Sequence, residues 1–213
     1  MYNVFRLAGD ATHVVAFYLL IERIRQSKSV AGISFKTQAL YALVYVTRYL
    51  DLFWSWSSLY NVFMKFVYLG CQFYILYLMQ VRFKPTHNPK IDTFRVEYLL
   101  GGSAVFALLF NLAFTPTEIL WAFSTWLEAV AILPQLFMIQ RRGEAESLTV
   151  HYIFALGAYR LLYVLNWIYK WVFNVDFFYV SLIAGVVQTL LYSDFFYVYY
   201  TKVMKGKKFE LPQ

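Results

Sequence analysis

The chain has 213 residues, of which 61% are hydrophobic, 22% aromatic and only 15% charged, with a formal net charge of +7. Soluble domains carry about 25% charged residues, so this composition excludes an ordinary soluble domain and points to a helical membrane protein. A single cysteine, Cys71, excludes an intramolecular disulfide and offers no metal motif, and basic residues that flank apolar runs read as membrane topology rather than nucleic-acid binding.

In chain order, apolar segments are expected at about 4–24, 33–54, 58–81, 96–114, 118–139, 150–172 and 178–201, most near the about 20 residues a spanning helix requires. The first carries Arg6, Asp10 and His13, and no small-residue cleavage site follows, so it reads as a retained span rather than a leader. The connections are short and carry turn chemistry: Gln26-Ser-Lys-Ser before Ala31-Gly32, Pro85 to Pro89, and Arg141-Arg-Gly143. One bundle over 1–201 and a tail over 202–213 account for the 213 residues, with no room for a soluble domain.

Basic residues are distributed unevenly. Arg23, Arg25, Lys28 and Lys36 surround the first connection. Arg82, Lys84, Lys90 and Arg95 surround the third, Arg141 and Arg142 the fifth, and Lys202, Lys205, Lys207 and Lys208 the tail. The alternate connections hold only Lys65 and Lys170 near their ends. The positive-inside rule then puts the odd connections and C-terminus in the cytosol and the N-terminus in the lumen or exterior, which an odd number of spans requires.

A faint internal repeat supports seven spans. A shift that carries Ser34 onto Ser147 also carries Ala42-Leu43 onto Ala155-Leu156 and Trp54 onto Trp167, and brings Arg48 within one position of Arg160. The interval contains an even number of spans, so the two copies point the same way. The expected fold is an all-α membrane protein of seven transmembrane helices. Two parallel three-helix repeats, at about 1–81 and about 118–201, are joined by a linking helix at about 96–114, as in SWEET and PQ-loop proteins.

Charges remain inside the spans once topology has taken its share: Arg6, Arg48 and Arg160, with Asp10, Asp51, Glu128 and Asp194, and Glu118 at a luminal boundary. A charge at mid-membrane costs at least about 2.5–3.5 kcal/mol and is normally paired. Helical spacing lets these groups converge. Arg6, Asp10 and His13 share a face of the first span, and Arg48 and Asp51 lie three apart on the second. Glu118, Trp121, Thr125 and Glu128 stripe the fifth. Arg160, Tyr163 and Trp167, with Tyr159, Asn166 and Lys170, form two overlapping stripes on the sixth. Simpler roles exist: Arg6 can snorkel to headgroups, Arg48 and Arg160 can be structural partners of Asp51 and Glu128, and Trp54 and Trp56 can be an interfacial belt. His87 and His151 flank turns and carry no assigned chemistry. Guanidinium forks with aromatic walls suit a ligand bearing several carboxylates and a cation. No nucleophile–base pair, metal cluster or phosphate loop is recognisable, so neither an enzyme nor a cofactor is expected.

Phe5-Arg-Leu-Ala-Gly-Asp10, Ala31-Gly-Ile-Ser34, Thr47-Arg-Tyr-Leu-Asp-Leu-Phe53, Ser58-Leu-Tyr-Asn61, Asp92-Thr-Phe-Arg95, Leu127 to Leu136, Leu165-Asn-Trp-Ile168, Gly185 to Leu190 and Lys205-Gly-Lys-Lys208 carry a specific resemblance. On these stretches, and over nearly its whole length, the sequence resembles the KDEL receptors.

The resemblance implies a receptor in the endoplasmic reticulum, cis-Golgi and COPI vesicles. It would bind C-terminal Lys-Asp-Glu-Leu or His-Asp-Glu-Leu tails in the acidic Golgi and release them at neutral pH. By the same resemblance, Arg6 and Arg48 hold the terminal carboxylate region, and Asp51, Glu118 and Trp121 meet the head group. Tyr49, Tyr163, Asn166 and Trp167 line the pocket, and Arg160 belongs to the anion-binding and gating positions. His13 matches the pH-sensing position, with Tyr159 its neighbour, and Glu128 a position whose interaction with Arg160 rearranges on binding. Lys205, Lys207 and Lys208 match the tail seen by the COPI coat, and Asp194 a position for transport. The chain departs from relatives at Lys170, where Arg is usual, and around Asp176. The alternative reading is a small-solute transporter of the SWEET or PQ-loop type.

Overall fold

A computed structural model describes residues 3–53, 56, 58–142, 147–175, 178–198 and 200, without the side chains of Asp194 and Val198. Among the described residues the secondary structure is helical: α1 Val4–Ser27, α2 Phe35–Arg48, α3 Leu59–Tyr77, α4 Glu97–Leu109, α5 Pro116–Val130, α6 Leu133–Arg142, α7 Ser147–Val172, α8 Tyr179–Leu191 and α9 Ser193–Val198.

Local chemistry sets several ends. The Asn3 side chain caps α1 by accepting from the Arg6 amide, and Lys28 closes it in the left-handed conformation. Ser34 caps α2 by accepting from the Thr37 amide. Thr115 does the same for α5, with Pro116 in the first turn and Glu118 three residues past the cap, where a carboxylate suits the helix dipole.

Among the described residues, four helical stretches are long and apolar enough to cross a membrane: Val4–Ser27, Leu59–Arg82, Pro116–Arg142 and Ser147–Val172; Glu97–Leu109 and Tyr179–Leu191 are apolar but shorter. Several expected spans are interrupted. The segment expected at about 33–54 leaves the α-helix at Arg48 and continues as a 3-10 turn over Leu50–Phe53. The one expected at about 118–139 turns at Ala131–Ile132, just ahead of Pro134, whose missing amide hydrogen suits a helix start. The last breaks at Tyr192 into α8 and α9.

The chain divides into two compact units, Met1–Lys28 with Ile139–Gln213, and Ser29–Met138. In the first, α1 packs on α7 and α7 on α8. Asn3 bonds Asn166, Asp10 accepts from Tyr163, and His13 stacks on Tyr159. Residue numbers rise on one helix as they fall on the other, so α1 and α7 run antiparallel. Gly185 lets α8 approach α7 closely: a Cβ there would lie 2.5 Å from Trp167 Cζ3 and 2.9 Å from Val164 Cγ2.

In the second unit, α2 packs on α5 and on α3, and α4 packs on α5. The buried start of α2 is tied down by polar side chains. Ser34 donates its amide to Gln135 Oε1 at 2.8 Å and its hydroxyl to Asp92 Oδ1 at 2.9 Å, and Asp92 Oδ2 accepts the Lys36 amide at 3.1 Å. Gln135 also donates its side chain to the Gly32 carbonyl and its amide to the Thr37 hydroxyl. Gln72 on α3 donates to Gln38 on α2 at 2.8 Å to the carbonyl and 3.1 Å to the side chain. Every donor and acceptor named here would be costly to bury unpaired, by about 1–3 kcal/mol each.

Candidate functional site

The charged residues of the first unit lie along facing surfaces of α1 and α7. Arg6 is half-buried in the first turn of α1, while Asp10 and His13 are buried one and two turns further on. The Tyr163 hydroxyl donates to Asp10 Oδ1. The ring reaches that carboxylate by passing Gly9, where even a Cβ would approach Tyr163 Cδ2 to 3.0 Å. His13 is sandwiched between aromatic rings, with Tyr159 at 4.0 Å and 4° and Phe17 at 5.0 Å and 17°.

Arg160 follows on the same stripe of α7 and is only 4% exposed. Its guanidinium carbon lies 5.4 Å from the Tyr159 ring centre and 5.8 Å from that of Trp167. Aromatic faces attract a guanidinium through the ring quadrupole, more strongly when water is excluded. Tyr163 and Trp167 continue the wall, 5.8 Å apart between centroids. Buried Asn166 accepts from Asn3 at 2.9 Å. Lys170 is half-buried in the last turn of α7.

The second unit holds the other candidates. Arg48, at the last turn of α2, donates through Nη1 to Glu128 and through Nε to Ser124 Oγ at 3.0 Å. Glu128 is 2% exposed and Arg48 19%, so this is a largely desolvated ion pair. Breaking such a pair by deleting one partner costs about 3–5 kcal/mol. Ser124 passes the network onward by donating to the Trp121 carbonyl at 2.6 Å. Tyr49 ends an aromatic run through Tyr45, with Tyr68 of α3 stacked against both. Half-buried Glu118 and Trp121 stand in the first turns of α5.

Asp51 is partnered by Lys65 of α3, Nζ to Oδ2 at 2.5 Å. The three-residue spacing of Arg48 and Asp51 suggests a pair on one helix face, but α2 ends at Arg48 and Asp51 lies on the following 3-10 turn. Each residue finds its ion-pair partner on another element. Lys65 and Ser124 are residues that sequence reasoning passed over. Ser124 was recoverable, sitting three residues from Trp121 and four from Glu128; Lys65 gave no local signal. Asp10 was recognised on its face without its Tyr163 partner.

Asp194 belongs to α9. Its side chain, together with Trp54, Asp176, Lys205, Lys207 and Lys208, lies outside the described residues. Among the described residues no group of three or more His, Cys, Asp or Glu could hold a metal ion.

Comparison with known proteins agrees with this charge-lined helical chain. The family described as ER lumen protein retaining receptor matches residues 29–170. Over 99% of both chains the protein is 54% identical to ER lumen protein-retaining receptor 2 of Gallus gallus and to that of Homo sapiens. It is 53% identical, with the same coverage, to the ER lumen protein-retaining receptor of Drosophila melanogaster. A match of this strength over 99% of both chains, with four helical stretches among the described residues long and apolar enough to cross a membrane, makes this multi-pass membrane protein of the secretory pathway a member of the ER lumen protein retaining receptor family.

Proposed function

We propose that this protein is a sorting receptor. It captures the C-terminal Lys-Asp-Glu-Leu or His-Asp-Glu-Leu tail of luminal proteins of the endoplasmic reticulum in the acidic Golgi, and returns them in COPI vesicles. The observation that carries this reading is the 54% identity over 99% of both chains to receptors named for retaining such proteins. That match sets aside the small-solute transporter alternative.

The chemistry of the two units supports the reading. Such a tail presents the Asp, Glu and terminal carboxylates together with one basic head. Arg6, Arg48, Arg160 and Lys170 are the cations proposed for the acidic groups. Asp51, Glu118 and Trp121 take the head, while Tyr49, Tyr163, Asn166 and Trp167 supply walls and hydrogen bonds. Glu128 holds Arg48, and ligand carboxylates compete for that arginine. His13, stacked on Tyr159, is the pH sensor.

In this reading the chain crosses the membrane seven times, with its N-terminus in the lumen and its C-terminus in the cytosol. Exposed Arg25, Lys28, Arg82, Lys84, Lys90, Arg95, Arg141 and Arg142 support it, clustering at the odd connections. The repeat architecture, about 1–81 and about 118–201 around a linking helix at about 96–114, draws support from helix pairing. Exchanging the copies turns the α1–α7 contact into α5–α2, and the α2–α3 contact into α7–α8; all four are present. Lys205, Lys207 and Lys208 supply the coat signal, and Asp194 serves transport.

The test is binding of labelled Lys- and His-headed tetrapeptides to the purified receptor at about pH 5.5 and about pH 7.4, either side of the reference imidazole value. Capture at the acidic pH with loss at the neutral one is expected. Absence of binding at both would refute the receptor reading.

A further inference from the structure

Asp51 is held in an unusual way for a group that is to receive a cation. Its Oδ2 already accepts from Lys65 Nζ at 2.5 Å, and the lysine is the more sheltered partner, 18% exposed against 41% for the aspartate. The ammonium also lies 5.8 Å from the centre of the Tyr49 ring. The other oxygen, Oδ1, is shielded from solvent and has no hydrogen-bond donor among the described residues.

Charge and geometry lead to the same consequence. Asp51 and Lys65 together are neutral, so an arriving ammonium or imidazolium meets the weak field of an ion pair instead of a full negative charge. It gains the carboxylate only by donating to Oδ1 or by displacing Lys65 from Oδ2. A displaced Lys65 has the Tyr49 face within reach as a cation–π partner.

We infer that Lys65 is an internal competitor for the Asp51 carboxylate, and that it sets how much the ligand's basic head contributes to affinity. The head exchanges with Lys65 instead of filling an empty anionic site, so its charge adds little net affinity and heads of different basic chemistry are accepted. This rests on the proposed capture of a C-terminal tail whose head meets Asp51; no role in the relatives' names reaches Lys65.

The test compares two tetrapeptides, one headed by lysine and one by acetyl-lysine, which differ in head charge at similar length. Affinities are measured on the intact receptor and on K65Q, K65R, D51N and D51N/K65Q. D51N is expected to lower the wild-type preference for the charged head by no more than about fivefold, the scale of a solvent-accessible ion pair. K65Q raises that preference at least about tenfold above wild type, because the head now meets an uncompensated carboxylate. K65R keeps the wild-type value, and D51N and D51N/K65Q share one residual preference, the part carried by Glu118 and Trp121.

An unchanged preference in K65Q overturns the inference. Should K65Q fail to fold, wild type and D51N still decide: a preference that D51N lowers by more than about tenfold would mean that Asp51 is not neutralised, and would overturn it too. A K65Q effect that persists in the D51N background overturns it by showing that Lys65 does not act through Asp51, while leaving tail capture standing. Failure of every receptor to bind either peptide instead refutes the proposed function itself.

Discussion

The imidazole of His13 lies flat on the phenol ring of Tyr159, 4.0 Å between centroids and 4° between planes. On α1 its charged and titratable neighbours are Arg6 and Asp10; from α7, Tyr159, Arg160 and Tyr163 line the facing stripe. An unperturbed imidazole titrates near about 6.5, between the two compartments of the proposed cycle. Capture at acidic pH and release at neutral pH require, by linkage, that ligand binding take up a proton. Affinity is then fully present below that range and falls as pH rises through it. His13→Ala should flatten the dependence of peptide affinity on pH between about 5.5 and 7.5. Titration calorimetry in buffers of different ionisation enthalpy checks it, since proton uptake should vanish in the variant.

Glu128 is buried and bonded to Arg48, itself held by Ser124. Glu128→Ala removes the countercharge and leaves the guanidinium in a largely desolvated place. The expected destabilisation is about 3 kcal/mol. Glu128→Gln keeps a hydrogen-bond acceptor and should cost less. Thermal unfolding of the purified variants in detergent reads the difference, and equal melting of both variants and wild type would contradict the pairing.

Gly185 has no room for a side chain beside Trp167 and Val164. Gly185→Ala should overpack the α7–α8 contact by about 1–3 kcal/mol. Because Trp167 also lines the proposed binding stripe, its ring must shift, and peptide affinity should fall together with the melting temperature. Tryptophan fluorescence and a peptide titration on the same sample check both effects.

The tail makes a separable prediction. Lys207→Ser with Lys208→Ser should leave peptide affinity unchanged while retrieval of a tagged luminal cargo stops. The measurements are binding to the purified protein and secretion of the cargo from cells. Retrieval persisting in the double variant would contradict the coat role.

Sequence could be read furthest where one uninterrupted helix carried the pattern. Arg160, Tyr163 and Trp167 fall on one stripe of α7 because that helix runs unbroken from Ser147 to Val172. The Arg6–Asp10–His13 face of α1 is legible for the same reason. The Arg48–Asp51 spacing misled because α2 stops between them. The true partners, Glu128 and Lys65, come from other helices, and no local spacing encodes a tertiary pairing. The interruption at Ala131–Ile132 had a visible cause in Pro134, whereas the one at Tyr192 has no proline or glycine to mark it. The contact of His13 with Tyr159 was expected through family resemblance, since periodicity on α1 says nothing of α7.

The central claim is that arginines carried within membrane-spanning helices grip the free carboxylate of a chain end. Titrating the wild-type receptor at about pH 5.5 with a Lys-Asp-Glu-Leu peptide, once as the free acid and once C-terminally amidated, tests it most directly. The account predicts that amidation weakens binding at least about a hundredfold, as expected when one member of a desolvated charge pair is removed. Equal affinity for the acid and the amide would contradict it.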